Sequence, residues 1–318
     1  MKFVGVDLGG SHVMAAIVDE DGTIVHEAET DIEDHAFEAV VAAVGDTVEK
    51  ALREYGQAKP RAIGIGSPGN IDPATGSVLY SPNFGWSKAP LGERLAKRLG
   101  TRVLVGNDAR CATLGEHTFG TGHGIANFAM LTLGTGIGGG VVAANVLLLG
   151  NAAGAGEFGH HQIRATGGFI CGCGKIGCFE AQASGTGLLR HAYAVAPSFP
   201  KSELLDLKRD KIGSKMIRKA AEAGDRHATA AWNNFIDDLA IGLANVIAFV
   251  NPEVIALGGG VSSAGAFMLD ALMPKVDALT TMVPKGTTRI VPAKLGNDAG
   301  AIGASVMARR GGLFATDT

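Results

Sequence analysis

The sequence predicts an α/β chain organised as two domains, and three observations carry that expectation. Its 318 residues suffice for about two hydrophobic cores. Apolar, strand-like runs end repeatedly in clusters of glycine, a residue that fills 47 positions. Residues 187–249 are largely helical by period, with Leu239, Leu243, Val246, Ile247 and Val250 recurring on one face. The formal net charge of −3 offers no electrostatic footprint for nucleic acid and no polybasic patch for a membrane. Met1-Lys2 leads into a strand without a signal-peptide pattern, so a reducing, cytoplasmic compartment is expected.

The first glycine cluster closes the run Phe3-Val4-Gly5-Val6-Asp7-Leu8-Gly9-Gly10-Ser11. A second strand over residues 13–18 follows, then the turn Asp19-Glu20-Asp21-Gly22 and a third strand over 23–28, an antiparallel meander. Because a strand and not a helix comes next, this cluster does not match the dinucleotide fingerprint, and no cluster has Walker spacing. Residues 61–66 form a short strand ending in Ser67-Pro68-Gly69-Asn70-Ile71-Asp72. The segment Ser81-Pro82-Asn83-Phe84-Gly85-Trp86 is polar and irregular, with an aromatic anchor. Residues 102–105 make another strand, ending in Gly106-Asn107-Asp108 before an apolar-periodic helix from Ala109 to about Phe119. Residues 124–156 carry no formal charge, yet glycines at 134, 136 and 138–140 and asparagines at 145 and 151 break them up. They read as strands over 127–133 and 139–144 joined by a glycine turn, not as a membrane span. A third cluster, Gly258-Gly259-Gly260, ends the apolar run Val254-Ile255-Ala256-Leu257. The loop Ser198-Phe199-Pro200-Lys201 is expected to carry no function.

Glycine turns after strands let main-chain N–H groups approach an anion, and a neighbouring hydroxyl adds a donor. Three such turns in one chain, two beside Ser or Thr, favour a nucleotide site over ordinary hairpin turns. Asp7 either caps its turn or, since phosphate would repel it, works through a cation as a water-mediated Mg²⁺ partner. Asn107-Asp108 fits a helix N-cap. Beside a phosphate site, Asp108 is also the natural general base for a hydroxyl nucleophile.

Residues 156–180 carry the densest chemistry. Gly156-Glu157-Phe158-Gly159-His160 is followed by Cys171-Gly172-Cys173-Gly174-Lys175-Ile176-Gly177-Cys178-Phe179-Glu180. His160, Cys171, Cys173 and Cys178 make a four-ligand set for tetrahedral Zn²⁺. A site closed by four protein ligands leaves no position for an activated water, so it should shape a pocket wall. Cys171 and Cys173 are too close along the chain for an easy mutual disulfide. Cys111 stands apart and reads as a small core residue.

Together, Asp7-Leu8-Gly9-Gly10-Ser11, Asn107-Asp108, residues 133–140, Gly156–Glu157–Phe158–Gly159–His160, the Cys171–Cys173–Cys178–Glu180 set and Leu257-Gly258-Gly259-Gly260 resemble the ROK family of sugar kinases and sugar-responsive repressors. The resemblance extends from residue 3 to about 310. It implies two ribonuclease H-like domains of the actin/hexokinase type around a central cleft: residues 1–107 with 298–318 as the small domain, 108–297 as the large one. A last helix over 299–310 would begin at an Asx cap, Asn297-Asp298, followed by small residues that pack closely.

The resemblance further implies ATP-dependent phosphorylation of a hexose at its 6-hydroxyl, with Asp108 taking the proton. Asn83, Asn107, Asp108, Glu157, His160 and Glu180 would bind the sugar. Asp7, Gly9, Gly10, Ser11, Gly134, Thr135, Gly136, Gly187 and Gly259 would hold nucleotide and Mg²⁺. Glucose is the expected substrate, because the Asn83, Glu157, His160 and Glu180 set suits unmodified hydroxyls. Fructose, mannose, N-acetylglucosamine and N-acetylmannosamine are the alternatives, polyphosphate is a less expected donor, and a homodimer or larger homo-oligomer is implied. A non-catalytic sugar-sensing regulator is the less expected alternative, because the repressors of this family carry a DNA-binding region ahead of the kinase-like body, whereas here the first predicted strand opens at residue 3 and the net charge is −3. Three positions depart from the family pattern: His12 replaces a lysine, Arg110 replaces a small polar residue beside the base, and the hairpin at residues 142–146 lacks its glycine turn.

Overall fold

The computed structural model describes residues 2–56, 59–202, 204 and 213–313. Two compact units emerge: Met1–Phe128 with Gly140–Gly156 and Ala293–Thr318, and Ala129–Gly139 with Glu157–Pro292.

The first unit is built on a sheet of order β3-β2-β1-β4-β8. Strands β1 (Phe3–Leu8), β2 (His12–Val18) and β3 (Ile24–Asp31) form the expected antiparallel meander. Strand β4 (Ala62–Ser67) runs parallel to β1, and β8 (Arg102–Asn107) runs parallel to β4. Val4, Val6, Leu8, Val13, Ile63 and Ile65 are buried with Val40, Val44 and Val48 of α1 (Phe37–Tyr55) in one core. Three short strands, β5 (Asn70–Asp72), β6 (Ser77–Ser81) and β7 (Trp86–Ala89), make a small sheet that the sequence did not announce. Helix α2 (Leu91–Leu99) follows it.

Helices α3 (Asp108–Phe119) and α9 (Ala299–Arg310) complete the unit. Their backbones approach closely: a Cβ at Gly303 of α9 would fall on the Cys111 carbonyl of α3. Likewise a Cβ at Gly5 would fall on the Ala301 carbonyl, and one at Gly64 on the Ala304 carbonyl. Glycine is therefore what lets α9 lie against β1, β4 and α3. The expected Asx cap on α9 is not formed: Asp298 makes no side-chain cap bond, because a 3-10 turn over Gly296–Asp298 runs straight into the helix. The compact units also divide the chain elsewhere than the expected domain limit at 107/108, since α3 packs on α9 within the first unit.

A second five-stranded sheet repeats the first one's strand order. It runs β11 (Val146–Leu147), β10 (Ile137–Ala143), β9 (Phe128–Leu133), β12 (Val254–Gly258), β13 (Arg289–Pro292), with β12 and β13 parallel. This recurrence is the ribonuclease H-like plan occurring twice. The β10–β11 hairpin turns through Ala144 and Asn145, both at positive φ (50° and 64°). It is a two-residue turn of the primed kind made without glycine.

The core of the second unit gathers around α7 (Arg226–Val250), whose Trp232, Phe235, Ile236, Leu239, Leu243, Val246 and Ile247 are buried. Asp225 caps α7 by accepting from the Ala228 N–H at 2.7 Å, and Asn251 ends it in the left-handed conformation. Among the described residues α7 alone is long and apolar enough to cross a membrane, but 56% of its apolar window is buried within the protein. That burial marks it as a core helix. Helices α4 (Phe179–Ala183), α5 (Gly185–Val195), α6 (Ser214–Glu222) and α8 (Ala266–Leu279) pack with it. The loop at residues 198–201 leads from a 3-10 turn, Ala196–Ser198, and Phe199 stacks on His227.

Candidate active site and metal centre

In the first unit, the turn from β1 to β2 places Gly9, Gly10 and Ser11 together, closed by the Gly9 N–H donating to the His12 carbonyl at 2.9 Å. Asp7 projects from β1 just before it. Gly300, in the first turn of α9, leaves room for this carboxyl, because a Cβ there would lie 2.8 Å from Asp7 Cγ. Burial, then the charge of Asp108, push the Asp7 carboxyl up to about 6, against the opposing pull of His12. His12 is exposed, with Nδ1 3.4 Å from the Ser11 hydroxyl.

The Asn107-Asp108 pair divides its labour. Asn107 is the N-cap of α3: its Oδ1 accepts from the Arg110 N–H at 3.1 Å, and its Nδ2 donates to the Gly69 carbonyl at 3.1 Å. Asp108 opens the helix proper, with Oδ1 accepting from the Ala109 N–H at 2.8 Å. The capping explanation thus holds for Asn107. The Arg110 guanidinium is buried and donates from Nε and Nη2 to the Ala155 carbonyl at 3.0 and 2.8 Å.

Asn83 lies exposed on the four-residue turn between β6 and β7, its Nδ2 3.8 Å from where a Gly10 Cβ would sit. Phe84 and Trp86 brace that turn, stacked at 4.4 Å and both buried. Trp86 Nε1 donates to the His35 carbonyl at 3.0 Å, and His35 Nε2 donates to the Gly10 carbonyl at 2.7 Å. His35 thereby ties the Asn83 turn to the glycine turn. Sequence reasoning missed it, because a single histidine after a strand belongs to no pattern; the aromatic anchor beside Asn83 was the one signal pointing there.

In the second unit, the turn after β9 brings Gly134, Thr135 and Gly136 together. The Gly185 N–H donates to the Gly134 carbonyl at 2.8 Å, and the Thr186 hydroxyl donates to the Thr135 carbonyl at 2.8 Å. The start of α5 therefore holds this turn in place. A Cβ at Gly136 would collide with the Glu180 carboxylate, whose Oε2 accepts from the Ile137 N–H at 3.0 Å. Gly259 has φ 82° and sits 2.6 Å, by its Cβ position, from the Leu133 carbonyl at the end of β9. The Gly187 amide is occupied, donating to the Ser184 hydroxyl that caps α5 at 3.1 Å, and the residue is buried.

The four soft donors converge. One ligand atom from each of His160, Cys171, Cys173 and Cys178 lies within 4.8 Å of the others. Cys171 Sγ is 3.7 Å from His160 Nδ1, and Cys173 Sγ is 3.6 Å from Cys178 Sγ. A tetrahedral Zn²⁺ with ordinary bond lengths would hold sulfurs about 3.8 Å apart, so the donor set and its spacing fit that ion. Three features fold the loop. His160 ends a 3-10 turn, Phe158–His160; Ile170 bridges to Ile176; and the Cys171 N–H donates to the Lys175 carbonyl at 2.8 Å. Gly174 and Gly177 adopt φ of 88° and 75°, and a Cβ at Gly177 would strike the Arg164 carbonyl. All four cysteines are free thiols. Cys111 is buried in α3, and burial pushes its thiol well above the usual range. Burial also pushes Cys171 up to about 12.

Glu180 joins the loop to the glycine turn. Its Oε1 accepts from Cys171 Sγ at 3.6 Å while Oε2 holds Ile137. Glu157 lies exposed one residue before the 3-10 turn that ends in His160.

The chain is 38% identical over 309 residues to a glucokinase of Thermotoga maritima, covering 96% of each sequence. In structure it matches a Streptomyces griseus ROK family glucokinase solved with glucose and AMPPNP, at TM-score 0.85 and 35% identity over 97% of this chain and 99% of that one. A ROK hexokinase of Thermus thermophilus matches at TM-score 0.82 and 32% identity, over 97% and 98% of the two chains. The ROK family profile matches residues 3–311, and the chain belongs to the ROK family.

Proposed function

We infer that this chain is a sugar kinase that transfers the γ-phosphoryl group of ATP to the 6-hydroxyl of glucose. The geometric observation that carries the chemistry is the pair Asp7 and Asp108. They stand at the same end of the parallel strands β1, β4 and β8, where Asp7 pairs with Gly66 and Gly66 with Gly106, one beside the Gly9-Gly10-Ser11 turn and the other at the head of α3. The likeness to two glucokinases, one of them solved with glucose and AMPPNP, supports the substrates.

In this reading Asp108 accepts the proton of the sugar O6 as that oxygen forms a bond to Pγ and the bond from Pγ to the bridging oxygen of ADP breaks. Asp7 would hold Mg²⁺ through water; the ion, when bound, offsets phosphate charge. The N–H groups of Gly10, Ser11, Thr135 and Gly136 would take the phosphates, while Gly9 and Gly134, whose amides close their own turns on the His12 and Gly136 carbonyls, would let the backbone approach them. Gly259 and Gly187 would border the adenosine. With its amide committed to Ser184, Gly187 would do so through its Cα surface alone.

Asn83, Asn107, Glu157, His160 and Glu180 would pair with the remaining hydroxyls. A carboxylate or amide can engage two neighbouring hydroxyls, and a hydroxyl missing from the ligand would strand a buried polar group. His160, Cys171, Cys173 and Cys178 would hold Zn²⁺, which closes the loop without offering a position for water. Binding through Nδ1, the nitrogen facing Cys171, leaves His160 Nε2 for the sugar. The reading takes the cytoplasm as its compartment, because the thiols must stay reduced to hold a metal.

The test is a coupled ADP-release assay with Mg-ATP across glucose, fructose, mannose, N-acetylglucosamine and N-acetylmannosamine. We expect glucose to have the highest kcat/KM. Preference for an N-acetylhexosamine would move the substrate assignment, and no turnover with any of them would remove the kinase reading.

A further inference from the structure

The second unit contains a fully buried carboxylate that the chemistry above does not use. Asp238 lies midway along α7 with 0% exposure, among the apolar side chains of the core. An ion in such a place costs several kcal/mol of lost hydration unless it is well paired. Its partners both come from the metal loop or its flanks. Arg164 reaches it from the segment between His160 and Cys171, with Nε and Nη2 each 2.7 Å from Asp238 Oδ1. His191 of α5 reaches it from the other side, with Nε2 3.1 Å from Asp238 Oδ2. The same ring nitrogen is 3.1 Å from the Gln182 carbonyl. The ring N–H is directed at the Gln182 carbonyl, and Asp238 Oδ2 accepts no hydrogen bond, so His191 meets that oxygen by close approach while Arg164 supplies the directional bonds.

Gln182 sits two residues after Glu180, and Arg164 four residues after His160. The Arg164 N–H also donates to the Gly177 carbonyl at 3.2 Å, next to Cys178. One helical turn beyond Asp238, Gly242 admits the ring of Phe179, since a Cβ there would collide with it. Helix α5 adds a second grip: Phe169 stands edge-on to His191 at 5.0 Å, and Arg190 Nη1 donates to the Ile170 carbonyl at 2.8 Å. One short face of α7 thus grips the loop on the His160 side through Arg164 and on the Glu180 side through Phe179 and, by way of His191, Gln182.

We propose that Asp238, with Arg164 and His191, forms a buried anchor that sets the metal loop and so positions His160 and Glu180 for the sugar. These are positioning residues, acting through the ligands and not on the substrate. The charge pattern gives a reason for an ion pair here in place of apolar packing. The loop is rich in glycine and leaves Ile170 and Ile176 exposed, so beyond Ile163 and Phe169 it buries little apolar surface, and a directional pair fixes it where side-chain packing is sparse. The sugar half of the inference rests on the kinase reading; the metal half does not.

Two measurements on the zinc-loaded chain of 318 residues separate them. Release of zinc to a colorimetric chelator is timed for wild type, Asp238→Asn, Arg164→Ala and Arg164→Lys, and KM and kcat are taken for glucose and ATP. Arg164 is 40% exposed at its side chain, so its variants should fold even where Asp238→Asn does not. We expect Arg164→Ala to release zinc about tenfold faster or more. Its KM for glucose should rise about tenfold, with KM for ATP within about twofold. Arg164→Lys, which keeps the charge, should fall between Arg164→Ala and wild type. Zinc release within about twofold of wild type in the folded variants overturns the inference, whatever their melting temperatures. Faster release with an unchanged KM for glucose overturns its extension to the sugar. If wild type turns over no sugar, the kinase reading fails while zinc release still decides the anchor.

Discussion

Asp7 carries a cost that its surroundings make visible. Burial and the Asp108 charge hold its carboxyl up at about 6, against 3.8 in an exposed chain. A raised carboxyl pKa means that the folded state holds the proton more tightly than the unfolded chain. The resulting stabilisation is full below about pH 4 and is lost as pH climbs through 6. At pH 7 the ionised group therefore weighs against folding by roughly 2–3 kcal/mol as an upper figure. Asp7→Asn removes that penalty. Calorimetry without nucleotide should find the variant melting a few degrees above wild type at pH 7, with the gap closing toward pH 4, while turnover falls. A variant that melts lower at pH 7 would contradict the assignment of strain to this group. Asp7 and Asp108 stood out in the sequence because each ends an apolar run, and His160, Cys171, Cys173 and Cys178, whose donor atoms converge, because they fall within twenty residues. His35, Arg164 and Asp238 did not. Each is a lone polar residue whose partners, Gly10, Asp238 and His191, arrive from distant parts of the chain.

Strands and helices reveal where local pattern suffices. The meander, β4, β8, β9, β10 and α9 were all read from apolar runs bounded by glycine or Asx turns. The sheet β5–β6–β7 was not, because its strands are only three to five residues long and mix polar with apolar residues, and it forms by packing Ile71, Val78 and Trp86 into the core. The absent Asx cap on α9 has a similar origin. The preceding 3-10 turn sets Asp298 in helical geometry, a tertiary arrangement that residue type alone does not encode. Close packing at this helix is testable. Gly303→Ala would drive a methyl onto the Cys111 carbonyl of α3, and overpacking of this kind costs about 1–3 kcal/mol. Urea unfolding should register that loss, whereas Gly312→Ala, with open space around it, should change stability by less than about 0.5 kcal/mol. Equal effects would mean that α9 does not lie as described.

The whole chain repeats one plan: strand order third, second, first, fourth, fifth occurs in both sheets. The sequence hinted at this through glycine clusters after β1 and β9, the corresponding first strands of the two sheets. The sequence reading set the domain limit at 107/108, whereas the contacts gather α3 and residues 140–156 with β1 and α9, because α3 packs on α9. Metal binding should belong to the second unit as a whole. Elemental analysis is expected to find about one zinc per chain. Because burial holds the Cys171 thiol at about 12 without metal, uptake should release protons on titration of the stripped protein. Metal-free protein of native stability and activity would remove the ligand assignment. The central claim concerns the base at the head of α3, and Asp108→Ala tests it most directly when turnover and glucose binding are measured on the same preparation. The account predicts a kcat lower by about a thousandfold or more, with the glucose Kd within about threefold of wild type; a kcat within about tenfold of wild type would contradict it.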